Sequence, residues 1–371
     1  MEAGFEPVEE AFIANFERNG EVGAAFCVYL HGKQVVDLAG GVKVSGATEA
    51  YTQDTLQLVW STTKGITAIA AHMLAQEGRL DFDAPVVKYW PEFGAEGKEN
   101  IPVRWLFSHR AGLAAVDRPL DLDDVLAWTP VVDGLAAQRP LWEPGTAHGY
   151  HTFTYGWLAG EVIRRVTGGK VGDFVAARIA GPLGAEFWIG LPASESSRVA
   201  PVIPRVPQEP FDPYTLRAMD RNSLAFRSFA NPAIPPAAYN EYPFWSADVP
   251  AGNGIGTARA LARIYAACIG EVDGVRLLQP ETVERAVETQ SHGEDLTMGF
   301  ETRFGTGFQL SYPFRPMAGE GSFGHYGSGG SVGFAHNELG FSFGYVMNRM
   351  GPIYGVDART QALAEAVLRC L

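Results

Sequence analysis

One segment of the chain reads Ser61-Thr62-Thr63-Lys64-Gly65-Ile66-Thr67-Ala68-Ile69-Ala70-Ala71-His72-Met73-Leu74. Its apolar residues recur three and four positions apart, which is the spacing of a helix with one buried face. Gly78 is a suitable residue just beyond the C-terminus of such a helix. The spacing therefore predicts a helix that begins at Ser61 and carries Lys64 one turn further on.

The pair Ser61 and Lys64 could act together as a nucleophile and its base. Residues three apart on a helix lie about 5–6 Å apart at Cβ, so the lysine amine can reach the serine hydroxyl. Serine is a weak nucleophile until a neighbouring group takes its proton. Ser-x-x-Lys also arises by chance, because serine is a common helix cap. The catalytic interpretation depends on an apolar helix that draws Lys64 inwards and on further hydrolase motifs downstream.

Tyr150 is the second candidate. It follows the turn signal Pro144-Gly145 and precedes a predicted helix from Thr154. Near two cations the pKa of its phenol is expected to fall, so that it can shuttle a proton. A half-buried structural tyrosine is the alternative.

The third candidate is the segment 324–333, in which five of ten residues are glycine. Such density within a strand indicates close approach of the backbone, and a backbone N–H there could stabilise an oxyanion. His325 would place a polar ring at the same cleft, and a purely structural bulge is the alternative. Ser331 also matches a Gly-x-Ser-x-Gly nucleophile elbow, but that motif needs a helix after it. A strand is predicted there, so Ser61 is preferred over Ser331.

Together these motifs, in this order, resemble the serine β-lactamase and penicillin-binding-protein superfamily. The resemblance runs from about Val22 to Met347 and is strongest to class C-like hydrolases, particularly the family VIII carboxylesterases. It implies that Ser61 attacks a carbonyl while Lys64 and Tyr150 move its proton. It further implies that the backbone N–H groups of Ser61 and Ser328 form an oxyanion hole. The residues that it implies for substrate binding are His325, Thr152 and Gly327.

Two departures from the family pattern bear on the substrate. Thr152 stands where the family carries an asparagine that holds a β-lactam amide, and His325 stands where it carries a lysine that pairs with a substrate carboxylate. We therefore predict a carboxylesterase that hydrolyses short-chain neutral esters through an acyl-enzyme on Ser61. A β-lactamase, D-amino-peptidase or linear-amide hydrolase is the alternative within the hydrolases. A non-catalytic binding protein on the same scaffold is the alternative outside them.

Strands at both ends of the chain and helices in the middle predict an α/β (α+β) fold of β-lactamase type. One antiparallel sheet is built from both chain ends and flanked by terminal helices, with a mostly helical domain inserted. The predicted domains are 1–58 with 252–371, and 59–251. Ten of the 24 prolines lie between 201 and 250, in an aromatic-rich cover over about 191–250. That cover is either one wall of an apolar substrate pocket or a structural excursion.

The composition and charge of the chain limit the classes of molecule that it is expected to bind. The net charge is −13 and no basic run is present, so nucleic acid and anionic membrane surfaces are poor partners, and a small-molecule ester is the expected one. Cys27, Cys268 and Cys370 lie far apart without metal-ligand spacing, so neither a metal nor a cofactor is expected. The acidic N-terminus does not read as a signal peptide, and no run of 18 apolar residues predicts a membrane span. A cytoplasmic location is therefore expected, while the sequence gives no prediction for the oligomeric state.

Overall fold

The centre of the molecule is an eight-stranded antiparallel sheet. The structure is a computed structural model that describes residues 1–206, 209–351 and 356–371. The strands in chain order, including those of a smaller second sheet, are β1 (Gly23–Leu30), β2 (Lys33–Gly41), β3 (Leu56–Leu58), β4 (Phe187–Trp188), β5 (Val199–Ala200), β6 (Ile255–Gly256), β7 (Ser291–Glu294), β8 (Glu301–Phe304), β9 (Gln309–Leu310), β10 (Ser322–Tyr326), β11 (Val332–His336) and β12 (Phe341–Met347). The large sheet has the order β2-β1-β12-β11-β10-β9-β8-β7.

Helices fill the middle of the chain and close both ends. They are α1 (Glu6–Arg18), α2 (Thr62–Gln76), α3 (Val103–Phe107), α4 (Leu122–Ala127), α5 (Thr129–Ala137), α6 (Thr154–Thr167), α7 (Val171–Val175), α8 (Gly181–Leu183), α9 (Pro213–Met219), α10 (Leu224–Ala230), α11 (Tyr242–Trp245), α12 (Ala258–Ile269), α13 (Pro280–Val287) and α14 (Ala358–Cys370).

The two ends of the chain meet in the sheet, as predicted. β1 pairs with β12 from Ala24 opposite Met347 to Leu30 opposite Phe341, and a turn at Gly32 joins β1 to β2. Because side chains alternate along a strand, β1 contributes to both faces. Its residues Ala24, Phe26 and Val28 belong to the core shared with α1 and α14. The residues between them belong to the core shared with α12 on the opposite face. This arrangement confirms the predicted sheet with flanking terminal helices.

Helix α2 is more deeply buried than its sequence predicts. The spacing indicated one buried face, yet every residue from Thr62 to Leu74 is buried, including Lys64. The reason is its position, because α2 packs against α6 and α7 on one side and against strand β10 on the other. The helix ends at Gln76, and Gly78 follows with φ of +69°, as expected for a residue that terminates a helix.

A second, four-stranded sheet is absent from the sequence predictions. Its order is β4-β6-β3-β5, and its strands have only two or three residues each, too few to show an alternating pattern. It fixes the segment that leads into α2, since Val59 N donates to Gly254 O at 2.9 Å. The sheet thereby fixes the position of Ser61 relative to the residues just before β6, which include Gly254.

The proline-rich segment is ordered but irregular. Between β5 and β6 it forms the short helices α9, α10 and α11 and a 3₁₀ turn at Pro236–Asn240. The ring of Tyr239 in that turn packs edge-on against Trp60, with centroids 4.7 Å apart. Residues 207 and 208 of the predicted cover, and 352–355 of the predicted sheet domain, lie outside the described residues. The domain boundaries at 58 and 252 stay a prediction.

Two buried histidines make the stability of the fold dependent on pH. Burial lowers the pKa of both His72 and His151 to about 4, whereas histidine in an unfolded chain titrates near about 6.5. Since the unfolded chain binds more protons between these values, the free energy of unfolding should fall as pH drops from about 6.5 towards 4. The loss should be at most roughly 3 kcal/mol for each histidine.

Urea unfolding at about pH 7.5 and about pH 5 measures this loss. In the variant His72→Gln the difference between the two pH values should shrink by the contribution of that one side chain. His292→Gln is the matched control because it removes an imidazole at an exposed site, and it should shrink the difference less than His72→Gln does. An unaltered difference in His72→Gln would contradict the assignment.

Candidate active site

A cavity of about 280 Å³ opens beside the N-terminal end of α2. Its wall is largely aromatic and aliphatic, and the polar residues Ser61, Tyr150, Thr152 and Ser328 also lie on it. The proline-rich segment supplies part of the apolar wall, including Tyr214, Phe229 and Tyr239. Of the two interpretations of that segment, the pocket wall is therefore the one that the geometry supports.

Ser61 and Lys64 are in contact, as the helical spacing predicts. Lys64 Nζ lies 3.0 Å from Ser61 Oγ, 2.7 Å from Thr152 O and 2.9 Å from Ala251 O. Two of these partners are carbonyl oxygens, which only accept hydrogen bonds. A neutral amine has two N–H groups for the two carbonyls, which leaves its lone pair for the serine hydroxyl. The three contacts hold Nζ against Ser61 Oγ, where a neutral amine can accept the proton of Ser61.

The protonation state of Lys64 follows from its burial. The side chain is fully buried, and desolvation holds its pKa well below the usual range of lysine. Within the described residues no carboxylate forms an ion pair with it. The neutral, basic form of the amine is therefore favoured by its surroundings.

The backbone immediately before Ser61 is strained. Trp60 has φ of 51°, in the left-handed region that residues other than glycine rarely occupy. Its ring is held by the contact with Tyr239, and the following residue Ser61 caps α2 with helical backbone angles. Such strain often accompanies a functional residue whose direction must be fixed. Here it turns the chain from β3 into α2 so that Ser61 lies on the cavity wall.

Tyr150 lies with Ser61 on the wall of the cavity. Its phenol hydrogen-bonds with Ser61, and the centre of its ring is 4.9 Å from Lys64 Nζ. The prediction that its pKa falls is wrong. Burial raises the pKa, and the hydrogen bond with Ser61 offsets only part of that rise, because a buried phenolate would lose its hydration. Tyr150 is therefore a neutral phenol that can donate a proton.

The backbone of Tyr150 is held by a buried carboxylate that the sequence analysis missed. Asp295 Oδ1 accepts hydrogen bonds from the N–H groups of Tyr150, Thr297 and Met298, each at 2.9 Å. Its other oxygen accepts from the Thr302 hydroxyl at 3.0 Å. Asp295 is fully buried and stands in no recognisable motif, so only the folded arrangement reveals its positioning role.

His109 holds the residue after Tyr150. Its Nδ1 accepts a hydrogen bond from His151 N at 3.1 Å, and its carbonyl accepts from Gly149 N at 3.1 Å. His151 in turn accepts from Leu113 N at 3.2 Å. These bonds fix the segment 149–151 from two sides, which leaves the Tyr150 side chain little freedom other than to face Ser61.

The predicted oxyanion donors lie on the cavity wall. Ser61 caps α2, and Ser328 begins a 3₁₀ turn at Ser328–Gly330, which we call the Ser328 turn. In the part of the chain that the structure describes, neither backbone N–H donates to another protein group. The N–H at a helix start is also close to the positive end of the helix dipole. Both groups are thus placed to stabilise a negative oxygen, although the roles of all these residues stay predictions.

A buried arginine from α14 fixes the Ser328 turn. Arg359 Nη2 donates to Gly329 O at 2.6 Å. The guanidinium is also paired with Glu21 at 3.1 Å and with Asp357 at 2.8 Å. Arg359 is 2% exposed, so its carboxylate partners are what make a buried charge tolerable. Nothing in the sequence pattern of α14 singles out this residue.

The three predicted substrate-binding residues differ in their placement. Thr152 and Gly327 lie on the cavity wall, and the Thr152 hydroxyl bonds with Ser228 Oγ at 3.0 Å. His325 is buried behind the wall at 1% exposure, and its Nδ1 bonds with Tyr326 O at 2.7 Å. A direct contact of His325 with substrate therefore has no support in this geometry.

Ser331 has a structural position. Its hydroxyl is buried and donates to Val59 O at 2.8 Å, which ties the end of the Ser328 turn to the segment before Ser61. It does not line the cavity as described. The Gly-x-Ser-x-Gly match thus spans the end of the Ser328 turn and the first residues of β11, with a strand after it where the motif needs a helix.

Two further findings concern the described residues as a whole. No group of three or more histidine, cysteine, aspartate or glutamate side chains among them is arranged to hold a metal ion. None of the helices described has both the length and the apolar character needed to cross a bilayer.

Comparison with known proteins adds independent findings. A family model described as Beta-lactamase matches residues 8–368. The chain is 35% identical over 337 residues to Esterase/beta-lactamase LipL of Mycobacterium tuberculosis (strain ATCC 25618 / H37Rv), which covers 89% of this chain and 77% of LipL. A family VIII carboxylesterase of known structure has a TM-score of 0.91 at 36% identity, covering 100% of this chain and 98% of that one. EstA from Arthrobacter nitroguajacolicus Rue61a has a TM-score of 0.88 at 35% identity, covering 99% and 98%.

Proposed function

The chain belongs to the beta-lactamase family of serine hydrolases, and from that premise we propose that it is a carboxylesterase that cleaves short-chain neutral esters through an acyl-enzyme on Ser61. The observation that carries the proposal is the contact of 3.0 Å between a buried lysine amine and a serine hydroxyl on the wall of a cavity. The names of the similar proteins support the ester as the bond that is cleaved.

In the proposed first half-reaction, the neutral amine of Lys64 takes the hydroxyl proton of Ser61 while Ser61 Oγ attacks the ester carbonyl. The carbonyl oxygen becomes negative and is stabilised by the N–H groups of Ser61 and Ser328. Tyr150, a neutral phenol, donates its proton to the departing alcohol oxygen. The Lys64 ammonium then returns a proton to the phenolate, which leaves an acyl ester on Ser61 and a neutral Lys64.

In the second half-reaction, water attacks the acyl ester on Ser61. Its proton passes to the Tyr150 and Lys64 pair, the same oxyanion donors act again, and Ser61 leaves with a proton as the carboxylic acid is released. The short contacts of Lys64 with two carbonyl groups hold the amine in place through both steps, which is the positioning that such proton transfers need.

The shape of the cavity supports small esters. About 280 Å³ is near the lower end of the usual size range of ligand pockets, and its wall is mainly aromatic. The polar amide that would hold a β-lactam side chain is replaced by Thr152, whose hydroxyl is engaged by Ser228. An apolar acyl group of a few carbons fits these surroundings better than a polar peptide does.

The preferred bond can be measured with matched substrates. We expect kcat/KM for p-nitrophenyl butyrate to exceed that for butyryl p-nitroanilide and for a chromogenic cephalosporin by about 100-fold or more. Intact mass spectrometry after rapid quenching should show a butyryl adduct on Ser61. The cephalosporin is included because the name of LipL records both activities for that protein.

Two outcomes would contradict this proposal. A faster reaction with the anilide or the cephalosporin would favour an amide hydrolase or a β-lactamase. A chain that turns over none of the three, and in which a fluorophosphonate probe does not label Ser61, would be a binding protein on this scaffold.

A further inference from the structure

The side-chain amide of Gln309 lies on the wall of the cavity, and the sequence analysis did not single it out. Gln309 begins β9, where its backbone pairs with Phe304 of β8 on one side and with Gly324 of β10 on the other. The residue is 7% exposed. It is thus a polar group held from both sides within a mainly aromatic and aliphatic wall.

One hydrogen bond fixes the orientation of this amide. Gln309 Oε1 accepts from Tyr326 N at 2.9 Å. A backbone N–H can only donate, so its partner must be the oxygen of the side-chain amide and not the NH2 group. The two N–H groups on Gln309 Nε2 therefore face away from Tyr326 N.

Gln309 Nε2 is a donor without a protein partner. Among the residues that the structure describes, it donates to no protein group. Nor is it one of the described polar atoms that are sealed from solvent without a hydrogen bond. Because Gln309 lines the cavity, the accessible surface of Nε2 opens into it. The cavity thus presents a neutral N–H donor of fixed direction.

Other donors on the same wall already have protein partners. Asn240 Nδ2 donates to a backbone carbonyl at 3.0 Å, and the Thr302 hydroxyl donates to Asp295 Oδ2 at 3.0 Å. The Arg315 guanidinium hydrogen-bonds with the phenol of Tyr312. A neutral oxygen of a substrate would therefore find an uncommitted donor in the glutamine amide.

Gln309 lies on the side of the cavity where the alcohol of an ester would leave. In the proposed mechanism, Tyr150 donates its proton to the departing alcohol oxygen. The ring of Tyr150 stacks on that of Phe304, with centroids 6.0 Å apart and planes at 13°. Phe304 is also the β8 residue that pairs with Gln309. The amide and the proton donor thus share one side of the cavity.

We propose that Gln309 is a specificity-determining residue, whose Nε2 donates to an ether or carbonyl oxygen in the alcohol part of the substrate. The inference rests on the proposed esterase function and names its substrates more closely, as neutral esters of oxygen-bearing alcohols. A few fixed polar groups orient a ligand in an apolar pocket. A site that hydrogen-bonds with a substrate group discriminates against the analogue that lacks this group.

Butyrate esters of equal size test this donor. 2-Methoxyethyl butyrate is matched with butyl butyrate, and 2-oxopropyl butyrate is matched with isobutyl butyrate. The readout is the ratio of kcat/KM for the oxygen-bearing ester to that for its hydrocarbon partner. Gln309→Glu keeps an oxygen for Tyr326 N but removes the donor, so the ratio should fall about 10-fold in at least one pair. In Gln309→Met it should fall about 3- to 10-fold in the same pair.

The matched control is Asn240→Asp, which also converts an amide on the cavity wall to a carboxylate. Asn240 Nδ2 is committed to Val202 O, so the ratios should equal those of the wild type, whatever the absolute rate. Ethyl 3-oxobutanoate with ethyl 3-methylbutanoate makes the same comparison on the acyl side of the ester. The ratio for this acyl pair should not change in Gln309→Glu.

Two results would overturn the role of Gln309 while leaving the esterase intact. One is a ratio that is the same in wild type and Gln309→Glu for both alcohol pairs. The other is a change in the acyl pair at least as large as that in the alcohol pairs. Absence of hydrolysis of every one of these esters by the wild type would instead refute the esterase function itself.

Discussion

Substituting Ser61 by alanine is expected to lower kcat for p-nitrophenyl butyrate by about 10⁴-fold or more. The reason is that Ser61 Oγ is the atom that both Lys64 and Tyr150 contact. Without it the two groups have no proton to move and no acyl-enzyme can form. Steady-state kinetics measures the loss of turnover, and intact mass after quenching measures the loss of the acyl adduct.

The matched control for this variant is Ser331→Ala. Ser331 lies in the competing motif and its hydroxyl is bound to Val59 O, so this variant should still form the covalent adduct, whatever its rate. Thermal unfolding of Ser61→Ala should remain close to that of the wild type, because Ser61 is only partly buried. An adduct that persists in Ser61→Ala, or that vanishes in Ser331→Ala, would refute Ser61 as the nucleophile.

The second large effect is expected from Lys64→Met, which should lower kcat by roughly 10³-fold or more. Methionine keeps much of the length of the side chain but cannot accept the serine proton. The double variant Ser61→Ala with Lys64→Met should be no slower than Ser61→Ala alone, because residues that act as one unit are not additive. Additive losses would show that the two residues act independently.

The pH profile distinguishes a base from a structural lysine. Because the pKa of Lys64 is held below its usual range of about 10.4, the neutral amine persists to lower pH than in an exposed lysine. The wild-type kcat/KM should therefore fall as pH decreases through this lowered pKa and stay level above it. We call this fall the acidic limb of the pH profile, and Lys64→Met should lack it. Lys98→Met is the matched control, since Lys98 is a second buried lysine, bound to Ala95 O at 2.7 Å. It should lose stability and keep the wild-type limb.

The features that could be predicted from the sequence are those that depend on residues close together in the chain. The helix after Ser61 follows from the periodicity of the apolar residues within its own segment. The pairing of the two chain ends followed because strands at both ends need partners. The fold family followed from three motifs in a fixed order, and the family match confirms it.

What the sequence did not reveal depends on distant contacts. Asp295 and Arg359 act on residues far away in the chain, and no motif surrounds either. The smaller sheet has strands too short to carry a pattern. The pKa of Tyr150 was predicted in the wrong direction because the count of nearby cations omitted the depth of burial, which is a property of the folded molecule alone.

The bond from Arg359 to Gly329 O has a consequence for the order of events during synthesis. Ser61, Tyr150 and Ser328 all leave the ribosome before α14 does, yet the Ser328 turn lacks this anchor until α14 has emerged and packed against α1. A nascent chain that already contains Ser61, Tyr150 and Ser328 would therefore still lack the bond that fixes the turn of the predicted oxyanion donor Ser328. A fragment that ends before α14 would contain Ser61, Tyr150 and Ser328. It would lack the bond from Arg359 that holds the Ser328 turn.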